Sequence, residues 1–124
     1  MAVETKYRGK PAYFRVLAEL IRAAEYRGLT TYQHLAVIME LPLQGNLMGS
    51  EIGQILGEVC EEEIAAGRPM LSAVAVGTSG KPGSGFLPLA VELERAGVDE
   101  NLDDVWTRER TAVYRAWERP LPRD

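Results

Sequence analysis

Residues 69–87 read PMLSAVAVGTSGKPGSGFL, and the chain changes character within this stretch. Its first part, 70–76, is a short apolar run of small and β-branched residues bounded by proline and glycine, which predicts a buried strand. Residues 78–85 are rich in glycine, serine and proline, a composition typical of a long turn. Because Phe86 and Leu87 supply a second apolar arm, the stretch predicts a β-hairpin with a glycine-rich tip.

Two helices are predicted near the start of the chain. Apolar residues recur at three- and four-residue spacing over 12–27, which predicts the first helix. Thr30 and Gln33 form a capping-box pattern, in which each side chain satisfies a free backbone donor of the other residue. A second, short helix is therefore expected to begin near Thr31. It should end before Pro42, because proline disfavours helical geometry in the residue that precedes it.

Further helices are predicted on both sides of the hairpin. Ser50 is the expected cap of a third helix that runs to about residue 66 and places its apolar side chains on one face. After the hairpin, Pro88 predicts the start of a short helix that ends at Gly97. The acidic stretch 99–104 suits the N-terminus of a last helix, because negative charge there complements the helix dipole.

This order of elements defines the expected fold class. The chain is predicted to be α+β and mainly helical, because three helices followed by a hairpin with a glycine-rich tip make the element order of a winged helix. A winged-helix-like core with a hairpin wing would cover about 12–87, and extra C-terminal helices about 88–119. No internal repeat or long linker divides the chain, so 1–124 is expected to form a single domain.

Composition places the chain among ordinary globular proteins. It has 124 residues, of which 46% are hydrophobic and 26% charged. No apolar run approaches the roughly 20 residues that span a bilayer, so no membrane contact is expected. The single cysteine, Cys60, cannot form an internal disulfide, and one cysteine with one histidine cannot make an ordinary zinc site. A cytoplasmic location fits this composition best.

Charge is distributed unevenly along the sequence. The formal net charge is +3 over residues 1–30, −9 over 31–104 and +2 over 105–124, giving −4 in total. Nucleic acid is a polyanion bound mainly through lysine and arginine. The acidic middle therefore predicts a penalty for nucleic-acid contact, whereas the basic ends favour it.

Four segments resemble the DNA-binding half of alkylguanine-DNA alkyltransferases and alkyltransferase-like proteins. Residues 30–36, TTYQHLA, resemble that family's TTYGEIA segment, and residues 50–56, SEIGQIL, resemble its recognition helix ARAVGNAL. Residues 67–74, GRPMLSAV, fall where the family has IPCHRV. Residues 83–86, GSGF, fall near its GGY wing. The resemblance covers about 13–93 and implies a winged-helix fold.

The departures from the family pattern limit what this resemblance implies. The family's alkyl-acceptor cysteine and the histidine that helps activate it are replaced by Met70 and Leu71, which excludes alkyl transfer. Glu51 stands where the family has the helix arginine that enters DNA, so the charge at that place is reversed. Tyr32 is retained. Function must therefore be argued from the site itself.

Other polar residues are expected to serve structure rather than chemistry. His34 has no acidic or cysteine neighbour in the sequence to orient it, and Cys60 shares the apolar face of the third helix. Three consecutive glutamates, 61–63, point about 100° apart on a helix and cannot converge on one metal, so a solvated, partner-facing surface is expected. Trp106 and Trp117 are expected in the core.

Two functions remain open. The first is a small non-enzymatic module that binds a protein partner and acts in regulation. The second is a nucleic-acid-binding protein that uses the basic N-terminal arm, the wing and the C-terminal arginines. No nucleophile, base and orienting residue suggest an enzyme, and no catalytic, metal or cofactor site is expected. The candidate contact residues are Tyr32, Gln33, Glu51, Gln54, Lys81, Lys6, Arg8, Lys10, Arg108 and Arg115.

Overall fold

The computed structural model describes residues 5–43 and 45–119, most of which are helical. Five α-helices accompany a short 3₁₀ helix and a two-stranded sheet within this described part of the chain. In chain order the elements are α1 (Pro11–Glu25), β1 (Thr30–Thr31), α2 (Tyr32–Ile38), α3 (Asn46–Ala65), the 3₁₀ helix Leu71–Val74, β2 (Ala75–Val76), α4 (Phe86–Glu92) and α5 (Leu102–Ala116). The mainly helical α+β class expected from the sequence is confirmed.

The 3₁₀ helix Leu71–Val74 lies at the centre of the core. Helices α1, α3 and α5 all pack against it, and its four residues are buried. The indole Nε1 of Trp106 donates a hydrogen bond of 2.8 Å to the carbonyl of Ala73, which ties α5 to this central segment. Trp106 is buried as expected, whereas Trp117 is half-buried at the end of α5.

The predicted hairpin is wrong. Ala75–Val76 pairs in parallel with Thr30–Thr31, and parallel strands cannot be joined by a tight turn. Phe86 and Leu87 begin helix α4, in which Phe86 and Ala90 are buried four residues apart on one face. Within the run predicted as a strand, Ala75–Val76 is a strand but Leu71–Val74 is a 3₁₀ helix, because a short buried apolar segment has no periodicity that separates a strand from a helical turn.

Two helix starts also differ from those expected. The Oγ1 of Thr31, not of Thr30, caps α2 by accepting the N–H of His34 at 3.1 Å, while Thr30 is buried in β1. Helix α3 begins at Asn46 after Gly45, one turn before the expected cap at Ser50. Glu51 therefore lies in the second turn of α3 and not at its N-terminus.

A buried carboxylate joins the last helix to the core. Glu109 on α5 is 1% exposed, accepts the backbone N–H of Met70 at 3.1 Å and forms two 3.0 Å hydrogen bonds with the guanidinium of Arg95. The C-terminal helices thus belong to the same core as α1–α3. Over the described residues, no helix has the length and apolar character that crossing a membrane requires.

Candidate binding pocket and the N-terminal arm

A pocket of about 620 Å³ opens between α3 and the segment that leads into α4. One wall is the N-terminal half of α3, the opposite wall is formed by residues 83–92, and Tyr32 and Ser72 complete the lining. Ile52, Leu56 and Phe86 supply apolar surface and are each at most 6% exposed. We call this cavity the α3–α4 pocket.

Glycines form much of the pocket wall. Gly49, Gly53 and Gly57 recur at every fourth position of α3 and all line the pocket. A Cβ built on Gly49, Gly53 or Gly85 meets no atom of the chain within 4 Å. Gly49, Gly53 and Gly85 are themselves exposed, so packing within the chain does not require glycine at these three positions, and this side of the pocket is open. Inside a helix such as α3, glycine costs roughly 0.5–1 kcal/mol relative to alanine. The four-residue glycine period was the sequence signal for this wall, and it was missed.

Tyr32 connects the pocket to the loop that replaces the predicted wing. Its hydroxyl accepts the N–H of Gly83 at 2.7 Å, and burial raises its pKa above the ordinary value of 10.0. A Cβ on Gly77 or Gly83 would lie 3.4 Å from the Tyr32 ring, so these two glycines do serve internal packing. As a phenol, Tyr32 also retains its own hydrogen as a donor.

The N-terminal arm, residues 6–10, is held on α3 by a buried carboxylate. Glu58 is fully buried and accepts the consecutive backbone N–H groups of Lys6, Tyr7 and Arg8 at 2.8–3.1 Å. Its fourth donor is the carboxamide of Gln54 at 2.8 Å. Burial opposes ionisation, but these hydrogen bonds outweigh it and lower the pKa of Glu58.

Glu51 is also a partner of the arm. Its carboxylate accepts the ammonium of Lys6 at 2.6 Å and the hydroxyl of Tyr7, and these hydrogen bonds lower its pKa. Burial and the Glu51 contact raise the pKa of Tyr7 to about 12. The reversed charge at Glu51 therefore does not face solvent alone, because the basic arm covers and neutralises it.

The three glutamates at 61–63 do not form one solvated surface. Arg8 forms ion pairs with Glu61 at 3.1 Å and Glu62 at 3.0 Å. Glu63 points elsewhere, is 4% exposed and pairs with Arg68 at 2.8 Å. The three carboxylates thus have separate partners, and the prediction of a solvated, partner-facing surface is wrong for Glu63.

The remaining candidate residues lie outside the α3–α4 pocket, and of these Arg108 and Arg115 line one shallow groove on α5. Lys81 pairs with Asp103 at 2.9 Å, and Arg108 with Glu100 at 2.7 Å. Lys10 is exposed at the start of α1, and Arg115 is exposed on α5. Gln33 is half-buried on α2. Of the predicted contact residues, the pocket lining contains Tyr32 and Gln54.

Cys60 and His34 lie outside the α3–α4 pocket. Burial raises the pKa of Cys60 to about 11, and its thiol donates to the hydroxyl of Ser72 at 3.1 Å. His34 lies on α2 with its Nε2 3.5 Å from a carboxylate oxygen of Glu19, which Arg22 already holds. Among the described residues, no group of three or more His, Cys, Asp or Glu side chains could hold a metal ion.

The pocket suits neutral, apolar ligands. Glu92 is the single charged residue among its described lining residues, which include no lysine or arginine to receive an anion. Met48, Pro88 and Leu89 add further apolar surface. No family model, curated protein or solved structure matches this chain. Function is therefore inferred from the geometry of the pocket.

Proposed function

We propose that the chain is a non-enzymatic binding module that holds an apolar side chain of a partner protein in the α3–α4 pocket. The observation that carries this proposal is the open wall at Gly49, Gly53 and Gly85, where a side chain would contact nothing of the chain itself. A volume of about 620 Å³ lies within the range of about 300–1,000 Å³ that is usual for ligand pockets.

An exposed apolar residue next to the pocket supports a protein partner. Leu47 is 52% exposed and directly precedes Met48, which lines the pocket. A protein interface commonly combines a buried anchor in a pocket with a surrounding apolar area. Leu47 is suited to contribute to that surrounding area.

The distribution of ion pairs favours this function over nucleic-acid binding. Four of the six predicted contact cations are paired with carboxylates within the described chain: Lys6, Arg8, Lys81 and Arg108. Binding to phosphates would have to break these pairs or leave the carboxylates beside the polyanion. A neutral apolar anchor requires neither change.

Panning of displayed random peptides tests the proposal. We expect wild-type protein to enrich peptides that share an apolar anchor residue, and Gly53→Leu to lose that enrichment because leucine fills the pocket. Leucine has a far better helix propensity than glycine, and a Cβ at this position is unobstructed, so Gly53→Leu should be at least as stable as the wild type. Stability is checked by thermal unfolding.

Gly97→Ala is the matched control, because it adds a side chain at a glycine outside the pocket where the nearest atom is 4.0 Å away. This variant should enrich the same peptides as the wild type. Equal enrichment by Gly53→Leu would contradict the proposal. Tight, salt-dependent binding of mixed-sequence duplex DNA, measured by fluorescence anisotropy, would instead support the nucleic-acid alternative.

A further inference from the structure

One side chain belongs both to the α3–α4 pocket and to the anchor of the N-terminal arm. Gln54 lines the pocket, and its Nε2 donates to Glu58 at 2.8 Å. The same Glu58 carboxylate accepts the backbone N–H groups of Lys6 and Arg8 at 2.9 and 2.8 Å. The arm and the pocket wall therefore share a single buried carboxylate.

We infer that docking of the arm and occupancy of the pocket are coupled through the Gln54–Glu58 pair, with the docked arm favouring the ligand-binding form of the pocket. This inference rests on the proposed function, since it concerns regulation of the same pocket. The affinity of the pocket for its ligand is then higher when the arm is docked on α3 and lower when the arm is released.

The coupling follows from the burial of Glu58. Its side chain is fully buried, and a buried carboxylate is stable only while its oxygens are hydrogen-bonded. Release of the arm removes three backbone donors at once, so Glu58 must either exchange them for water or take up a proton. Either change disturbs the acceptor that positions the Gln54 carboxamide at the pocket wall.

Coupling between two sites is reciprocal. If a docked arm increases the affinity of the pocket for a ligand, the ligand must stabilise the docked arm by the same factor. A ligand in the pocket should therefore slow exchange at Lys6, Tyr7 and Arg8, although their backbone N–H groups bond to Glu58 and not to the pocket lining.

Two variants of the full chain distinguish the effect of Glu58, which both the arm and Gln54 contact, from the effect of Glu51, which hydrogen-bonds to the arm. Glu58→Gln weakens the acceptor shared by the arm and Gln54, whereas Glu51→Gln weakens only an acceptor for the side chains of Lys6 and Tyr7. Neither glutamate lines the pocket. The probe is N-acetyl-phenylalaninamide, a neutral apolar side chain with peptide groups, titrated while methyl NMR signals of Ile52 and Leu56 are followed.

We expect Glu58→Gln to speed hydrogen exchange at the amides of residues 6–8 and at the Gln54 carboxamide by about tenfold, the size expected from losing a charge-assisted hydrogen bond. It should also weaken probe binding by about fivefold, at the lower end of typical couplings. Glu51→Gln should weaken probe binding less than Glu58→Gln does, because it removes side-chain contacts of the arm but leaves the acceptor shared with Gln54 intact. In the wild type, the probe should slow exchange at residues 6–8.

Equal probe affinity in the wild type and Glu58→Gln, with faster arm exchange in the variant, would overturn the coupling and leave the proposed function intact. If the probe does not bind the wild-type pocket, the proposed function fails and the coupling fails with it. Should Glu58→Gln not fold, Lys6→Pro replaces it, because proline lacks the N–H that Lys6 donates to Glu58. Lys6→Ala is then the control that retains this N–H.

Discussion

Gly53 lies inside the 20-residue helix α3, where a residue with a Cβ would be more stable. We expect Gly53→Ala to raise the free energy of unfolding by roughly 0.5–1 kcal/mol, because alanine has the better helix propensity and its Cβ meets nothing within 4 Å. Urea unfolding measures the change. A lower free energy of unfolding would contradict the finding that a side chain at position 53 has free space beside it.

Gly45 provides the opposite control at the end of the same helix. Its φ of +86° is a backbone conformation that glycine adopts easily and other residues rarely adopt. Because its ψ is 178°, Gly45 lies in a region essentially restricted to glycine, and Gly45→Ala should lower the free energy of unfolding by about 1–3 kcal/mol. The two substitutions are chemically identical, so opposite signs can only arise from their local environments.

Cys60 should be unreactive in the folded protein. It is completely buried on α3, and burial raises its pKa to about 11, so little thiolate is present at neutral pH. Native protein treated with iodoacetamide should show no added mass by mass spectrometry, whereas the unfolded protein should gain one carbamidomethyl group. Rapid labelling of the native protein would contradict the buried position of this residue.

Single residues show where sequence reasoning succeeds and where it stops. The apolar helix face correctly placed Cys60 in the core, because burial follows from local periodicity. The role of Glu51 could not be predicted in the same way. Its partners Lys6 and Tyr7 are 45 and 44 residues away in sequence, and no local pattern indicates that pairing.

At the scale of elements, all the α-helices were predictable, whereas only one strand was: Ala75–Val76 lies within the run predicted as a buried strand, and its partner was not expected. All five α-helices were expected, because each has an apolar face or a terminal signal. Each of the two strands has only two residues, which is too short to show an alternating pattern. They also pair across 45 positions of the sequence, Thr30 with Ala75. The pocket was missed for a related reason, since its two walls come from segments separated by about thirty positions.

The arm should detach from α3 in acid before the core unfolds. The pKa values of Glu51 and Glu58 are lowered from 4.5 by the bonds they accept, so the folded state favours their ionised forms. The resulting stabilisation is complete above pH 4.5 and is lost as the pH falls through the lowered values.

Amide chemical shifts of Lys6, Tyr7 and Arg8 should therefore change together below about pH 4.5, while that of the buried Val113 on α5 stays constant over the same range. In Glu58→Gln the arm shifts should already lie near their acidic values at neutral pH. If the shifts of residues 6–8 stay constant until Val113 changes too, the arm does not detach independently.

At the scale of the whole molecule, basic residues near both ends of the sequence form ion pairs with carboxylates of its acidic middle. The basic N-terminal arm lies on the acidic helix α3, and Arg108 of the C-terminal helix pairs with Glu100 of the acidic segment. From the sequence alone, the basic ends and the acidic middle predict how the chain binds external partners. In the structure, many of these charges instead pair with one another, between the ends of the chain and its middle.

The proposed function therefore depends on the α3–α4 pocket rather than on surface charge. A graded series of substitutions at Gly53 tests binding in this pocket most directly. Calorimetric titration would measure the affinity of one peptide enriched by panning for the wild type, Gly53→Ala, Gly53→Leu and Gly97→Ala, together with the melting temperature of each protein. We expect affinity to fall at each step from glycine to alanine to leucine, by about tenfold or more for leucine because of overpacking. Stability should not fall with it, and Gly97→Ala should bind like the wild type. Equal affinity across the Gly53 series would contradict the central claim that the α3–α4 pocket binds the partner.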